Sequence, residues 1–259
     1  MGMVLGIAGA LLYLPLLAVS VYSVNATRLG LVWKGFTLSW YLRLFQDELI
    51  LNAAWNTLVL ASVSTAIATL LGTCLALGLE RFPWKKRVQW TLDTWVDLPI
   101  VTPDIIFAAA LVVAFGTIRE VWGDYQSGMV SMVIGHVTFQ IAFVALIVRS
   151  RIVTVGNVFR EAASDLYATP RELFRRVTLP LILPGVLAGA TLAFMLSLDD
   201  FVISFFTSGP KSDTLPIFIY ASLRRGLSPE LHALSTLIVL ITVILVLGLQ
   251  KLTRTPTEE

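Results

Sequence analysis

The chain alternates between long uncharged apolar runs and short charged connections. No Asp, Glu, Lys or Arg occurs in 1–27, 49–79, 125–148, 177–198 or 231–250. A helix needs about 20 consecutive apolar residues to cross the hydrocarbon core of a bilayer, and each run supplies them. The stretch 88–118 is also apolar, though Asp93, Asp97 and Asp104 interrupt it. Together these predict six transmembrane helices, over roughly 4–23, 55–79, 92–116, 128–148, 184–206 and 231–250. The runs are continuous, whereas barrel strands alternate, so helices are expected. The fold class expected is an all-α polytopic membrane protein, with 1–259 as one membrane domain. The first run reads as a retained helix and not a signal peptide. Met1-Gly2-Met3 supplies no positive segment, and the run is longer than a signal core, despite Val24-Asn25-Ala26 near a cleavage-like position.

Composition agrees. Hydrophobic residues make up 56% and charged residues 14% of the chain, with mean hydropathy +0.81; soluble domains carry about 25% charged residues. Cys74, the one cysteine, excludes a disulfide within the chain and reads as a small core residue of the second span. His136 and His232 lie far apart without ligand spacing, so no metal site is expected. There is no Gly-x-x-x-x-Gly-Lys-Ser/Thr loop, no His-Glu-x-x-His and no nucleophile–base set. The chain is therefore expected to be no enzyme, to bind no cofactor or nucleic acid, and to draw any ATP energy from a partner.

Cation placement predicts orientation. Arg81, Lys85, Lys86, Arg87, the six arginines of 149–183, and Lys251 and Arg254 place twelve cations on one side, against seven on the other (Arg28, Lys34, Arg43, Arg119, Lys211, Arg224 and Arg225). The richer side is expected to be cytoplasmic, with both termini there.

Two connections carry structure. In 25–54, Trp40, Tyr41, Leu44, Phe45 and Ile50 recur near helical spacing, which predicts a short helix at the interface or packed on the bundle. In 149–183, residues 157–168 are helix-forming, with Phe159, Ala162, Ala163 and Leu166 on one face. Thr169-Pro170-Arg171-Glu172 then restarts a helix through a capping box, and Pro180 and Pro184 are expected to end it before the fifth span. Two short amphipathic helices meeting at a corner require a protein partner or the bilayer surface.

Ionisable groups inside spans cost about 2.5–3.5 kcal/mol on insertion scales and mark function. Asp104, Asp199 and Asp200 are the candidates, whereas Asp93 and Asp97 read as a hydrated rim. Pro99 and Pro103 remove backbone donors beside Asp104, as expected of a helix lining a wet cavity. Asp199 and Asp200 stand about 100° apart on a regular helix, so both address one ligand only if the helix opens. Ser197 and Asp200 share a face and are assigned to the pore, with Asp199 at a helix contact or a second ligand position. Trp40 is either a cation–π surface at the outer mouth or an interfacial anchor. Clustered carboxylates select cations.

Glu161-Ala162-Ala163, then Tyr167, then Val177-Thr178-Leu179-Pro180 resembles the EAA loop of ABC-importer permeases. The spacing is intact, with Tyr167 where Gly is usual and Val177 where Ile is usual. The resemblance implies a type I importer fold, and a loop carrying Glu161, Ala162, Ala163, Tyr167, Leu179 and Pro180 that docks on a cytoplasmic ABC ATPase dimer. It also implies a second homologous permease and a periplasmic or lipid-anchored substrate-binding protein in the bacterial inner membrane. Trp33-Lys34-Gly35-Phe36-Thr37, Trp40-Tyr41, Pro103-Asp104, Ser197-Leu198-Asp199-Asp200, Leu215-Pro216-Ile217 and Ser228-Pro229-Glu230 resemble the spermidine/putrescine permeases, most of all their C subunit. A polyamine is the substrate this implies; related branches carry other organic cations, ferric iron or anions.

Overall fold

The computed structural model describes residues 2–27, 32–123, 126–226 and 229–253. Arg28, Ser228 and Arg254, used above, lie outside them. The chain is helical: α1 (Gly2–Tyr22), α2 (Ser39–Leu44), α3 (Glu48–Arg81), α4 (Lys86–Val101), α5 (Asp104–Trp122), α6 (Met129–Val155), α7 (Val158–Asp165) and α8 (Pro170–Glu172). A π-helical turn (Leu173–Thr178) leads into α9 (Leu179–Asp199), followed by α10 (Val202–Thr207), α11 (Leu215–Arg225) and α12 (Pro229–Thr253). Two compact units result, one of residues 1–52 with 218–259 and one of residues 53–217.

Among the described residues, α3, α6 and the continuous helix Pro170–Asp199 are long and apolar enough to cross a membrane. The expected third span is a pair of helices, α4 and α5, bent by 108°, and counts as a fourth if the pair is one span. The apolar described segments of α1 and α12, Gly6–Tyr22 and Pro229–Ile241, are shorter. The long helices also overrun their apolar runs. α3 has 34 residues, roughly 50 Å of helix, because the charged residues at its ends are good helix formers that need not leave the helix to reach water.

The larger unit is built on α3, α6 and α9. Their core joins Ala76, Val144, Ala145, Val148, Ile152, Ile182 and Ala193. Without a hydrophobic drive between helices in lipid, close backbone approach through small residues replaces it. A Cβ added at Gly72 would stand 2.8 Å from Val144 Cβ, and one at Gly185 would stand 2.6 Å from Arg151 Cβ. Both glycines are therefore fixed by packing. The segment before α11 is tied to α3: Asn56 Nδ2 donates to the carbonyls of Lys211 (3.1 Å) and Asp213 (3.0 Å), and Leu215 N donates to Thr57 Oγ1 (2.8 Å). Cys74 is exposed on α3 and not in the core, because the neighbouring α3 positions Gly72 and Ala76 take the α6-facing side.

In the smaller unit α12 packs on α1 and α2. Asn25 and Phe36 form an isolated antiparallel bridge. The Asn25 side chain closes the loop by accepting from Lys34 N (3.0 Å) and donating to Val32 O (3.0 Å). The short helix expected around Trp40 is α2.

The prolines expected to end the helix before the fifth span do not end it. Pro180 sits in the first turn of α9 and Pro184 inside it. At Pro180 the preceding π turn takes up the misfit: Leu179 N–H bonds to the Phe174 carbonyl, a five-residue step. That wider register gives room where a proline ring would clash with the carbonyl four residues back.

Candidate functional site

The long apolar helix that ends in α9 opens at Asp200. Its backbone is extended (φ −64°, ψ 122°), and α10 restarts after Phe201. No proline or glycine marks the place. The carboxyl of Asp200 turns inward and caps α10, accepting from Ile203 N (3.2 Å) and Ser204 N (2.8 Å). Two of the donors orphaned at the new helix start are thereby satisfied.

His136, on α6, meets this break from the side and is 2% exposed. Its Nδ1 is 2.7 Å from Ser197 Oγ, before the break. Its Nε2 is 3.0 Å from Ser204 Oγ, after the break, and 3.2 Å from Asp200 Oδ2. A carboxylate only accepts, so Nε2 carries a proton toward Asp200, and in the neutral ring Nδ1 accepts from the Ser197 hydroxyl. Ser64 of α3 extends the chain, 3.3 Å from Ser197 Oγ. One turn along α6, Gln140 Nε2 donates to Ala193 O (3.1 Å), an additional buried polar tie between α6 and α9.

Ser197 and Asp200 are thus brought together, but around His136 inside the protein. Asp199 is left exposed at the last position of α9. The helix opens as two ligand-facing carboxylates would require, and one of the two is spent on holding it open.

The second break is made by Pro103. Thr102 before it is extended (ψ 128°), as residues preceding proline are, and its hydroxyl caps α4 by donating to Leu98 O (2.7 Å). Asp104 opens α5 and is exposed. Among the described residues no hydrogen bond or ion pair engages its carboxyl. α5 packs against α10. Asp93, expected as a hydrated rim, is instead an ion-pair partner. Arg149 of α6 bonds both Glu80 of α3 and Asp93 of α4, the latter at 2.7 Å.

Trp40 belongs to the smaller unit and is 4% exposed. Its indole N–H donates to Asn25 O (2.8 Å), and Arg43 already stands over its ring at 5.0 Å. It is an anchor of its own loop.

The loop 149–183 forms the expected corner. α7 ends in a Schellman motif: Ala168 N–H bonds to Ala163 O (3.1 Å) and Tyr167 N–H to Ser164 O (2.9 Å). Tyr167 takes the left-handed position (φ 59°), which explains the glycine that the EAA pattern has there. Thr169 caps the next helix with the expected box, its hydroxyl meeting Glu172 N (3.4 Å) and Oε2 (2.8 Å). The Thr169 hydroxyl and amide, and Arg176 beyond them, hold the Glu172 carboxyl below the usual carboxylate range. Glu161 and Ala162 are exposed, Ala163 is half-buried, and Leu179 and Pro180 are exposed in the first turn of α9. Leu166 and Tyr167 are 82% and 95% exposed, with Val158 and Phe159 also uncovered. This is an unpartnered apolar surface at the corner.

The profile of a family described as "Binding-protein-dependent transport system inner membrane component" matches residues 68–253. The chain belongs to this family. It is 39% identical over 228 residues to the putrescine transport system permease protein PotI of Escherichia coli (strain K12), covering 88% of this chain and 81% of that one. It is 35% identical over 249 residues to the spermidine/putrescine transport system permease protein PotC of the same organism, covering 96% and 92%. A molybdenum transport system permease protein, ModB of Mycobacterium bovis, is 32% identical over 199 residues, covering 73% and 74%. Among solved structures, a bacterial ABC transporter involved in the import of alginate superposes with TM-score 0.77 at 18% identity, covering 99% of this chain and 94% of that one. The inward-facing methionine transporter MetNI gives 0.65 at 19%, covering 81% and 97%. The fold of this inner-membrane transport component is that of ABC-importer permeases.

Within the transport component, sequence reading missed His136, Ser64 and Ser204. Their partners lie 61, 133 and 68 residues away. The one signal available was an unexplained histidine in an otherwise apolar run, a residue too polar for that place without partners.

Proposed function

We propose that this chain is a permease subunit of an ATP-driven importer of polyamines, spermidine or putrescine. The observation that carries the reading is the pair of exposed carboxylates, Asp104 and Asp199, each at an interruption of an apolar helix, in a chain similar throughout its length to polyamine permeases. A broken helix is tolerated at membrane depth where it lines a wet cavity, and separated carboxylates match separated ammonium groups. Asp200 and Ser197 hold the break in shape, and Trp40 holds the loop before α2.

In this reading the whole chain is one permease domain with six membrane crossings, and both termini and the loop 149–183 face the cytoplasm. The apolar corner of Phe159, Leu166 and Tyr167, with Glu161, Ala162 and Ala163, docks on a cytoplasmic ATPase dimer that supplies the energy. A second homologous permease completes the path, and a periplasmic or lipid-anchored binding protein delivers the substrate. Ala162→Asp is expected to keep the chain in the membrane while lowering co-purification of the ATPase.

The deciding experiment is uptake of labelled spermidine and putrescine by vesicles carrying the full complex, normalised to assembled protein. Polyamine uptake by the wild type, dependent on ATP, is expected. ATP-driven uptake of a different solute, such as the molybdenum named for ModB, would keep the importer and overturn its substrate.

A further inference from the structure

We propose that His136 is a positioning residue of the translocation path, a cross-brace that sets the opening of span five and thereby where the Asp199 carboxylate stands. The inference rests on the importer reading above but not on the identity of the solute.

Three observations converge. His136 bonds to both sides of the break, to Ser197 at the end of α9 and to Ser204 in α10, and it also reaches Asp200 at the break itself. It does so from a different helix, α6, whose backbone is locked against α9 through Val144 at Gly189, where an added Cβ would meet Val144 Cγ1 at 3.3 Å. Finally, the break contains no residue that would open a helix by itself: Asp199, Asp200 and Phe201 are all able to remain helical. Asp200 leaves the helix because its carboxyl gains two backbone donors of α10 and the imidazole. Without the imidazole, a carboxylate in an apolar surrounding keeps only the amides, and the geometry that leaves Asp199 outward while Asp200 turns inward loses its lateral support.

The two ring nitrogens do different work, which makes the proposal separable from general packing. Nδ1 serves the α9 side, and Nε2 serves Asp200 and the α10 side. A glutamine places its amide near the Nε2 position, whereas an asparagine reaches only the Nδ1 position. We therefore compare His136→Gln, His136→Asn and His136→Leu in the full complex reconstituted into vesicles, reading solute uptake per assembled complex and ATP hydrolysis stimulated by the loaded binding protein. His136→Leu and His136→Asn are expected to lower uptake about tenfold while stimulated hydrolysis persists, so that solute moved per ATP falls. His136→Gln is expected to retain at least about half of wild-type uptake. If His136→Leu fails to assemble, the Asn and Gln pair carries the comparison. Equal uptake by those two variants, or a fall in yield with unchanged uptake per complex, overturns the proposal. A wild-type complex that ignores polyamines but imports another solute overturns the substrate reading alone, and the same three variants are then read on that solute.

Discussion

The larger unit holds two broken helices, each beside an aspartate, and they are built in opposite ways. The α4–α5 break is marked in the local sequence: Pro103 has no N–H, Thr102 before it is extended, and the pair is bent by 108° there. Asp104 is free there. The α9–α10 break has no such residue, and it persists because Asp200, Ser204, Ser197 and His136 satisfy one another across it. A proline break leaves its carboxylate available. A break held by hydrogen bonds consumes one carboxylate and exposes the next, Asp199.

The largest effect expected from that contrast is on folding. Removing the carboxyl leaves the buried His136 N–H and two α10 amides without their acceptor, at about 1–3 kcal/mol for an unsatisfied buried group. Asp200→Ala also removes a helix cap. The amount of folded protein in detergent, followed by thermal unfolding, is expected to collapse for Asp200→Ala and to stay near wild type for Asp104→Ala. Similar melting of the two variants would mean that the second break does not depend on its hydrogen bonds.

The proline break is unbraced at its vertex but anchored nearly three turns earlier. Arg149 ties Asp93 of α4 to Glu80 of α3, with about a quarter of its side chain exposed. Bonds to charged groups contribute about 1.5–3 kcal/mol each when buried, and solvent reduces that here. Arg149→Met is expected to cost about 2 kcal/mol in thermal unfolding and to speed hydrogen exchange in α4 more than in α9. Uniform exchange changes would show that the triad holds the bundle as a whole.

Legibility in the sequence follows the same contrast. Whatever is encoded in consecutive residues was readable: the apolar runs, the Pro103 break, the Thr169–Glu172 capping box, and the corner helix α7. The Asp200 break was not readable, because its cause lies on α6 and only the folded chain brings it near. The prolines at 180 and 184 misled for a related reason: a π turn absorbs the clash at Pro180, nothing in Leu173–Thr178 announces it, and α9 runs on through Pro184. Asp93 looked hydrated because its partner Arg149 follows an apolar run and reads as a loop charge, whereas α6 continues past it to Val155.

If Asp104 is unengaged because it serves a ligand, removing its charge is expected to hurt transport and spare the fold. Asp104→Asn should lower polyamine uptake about tenfold, equivalent to about 1.4 kcal/mol. It should shift stability by no more than about 0.5 kcal/mol, as for surface substitutions. Wild-type uptake would make Asp104 a helix-start charge favoured by the α5 dipole and nothing more.

The smallest expected effect concerns a third interruption, at the corner, where strain takes the place of both proline and hydrogen-bonded braces. Tyr167 occupies a left-handed conformation (φ 59°) that costs an L-residue roughly 1–2 kcal/mol. Its side chain is 95% exposed, so no packing within the chain offsets this. Glycine removes the strain but loses roughly 0.5–1 kcal/mol more entropy on folding. The difference predicts that Tyr167→Gly stabilises the isolated chain by up to about 1 kcal/mol, whereas Tyr167→Val destabilises it, since a β-branched residue fits the left-handed region poorly. Thermal unfolding of the two variants measures the backbone term alone. Co-purification of the ATPase measures the ring: a tyrosine kept in a strained, solvent-facing position is expected to contact the partner, so Tyr167→Gly should gain stability and weaken docking together. A variant that gains stability with docking unchanged would leave Tyr167 as strain without a counterpart.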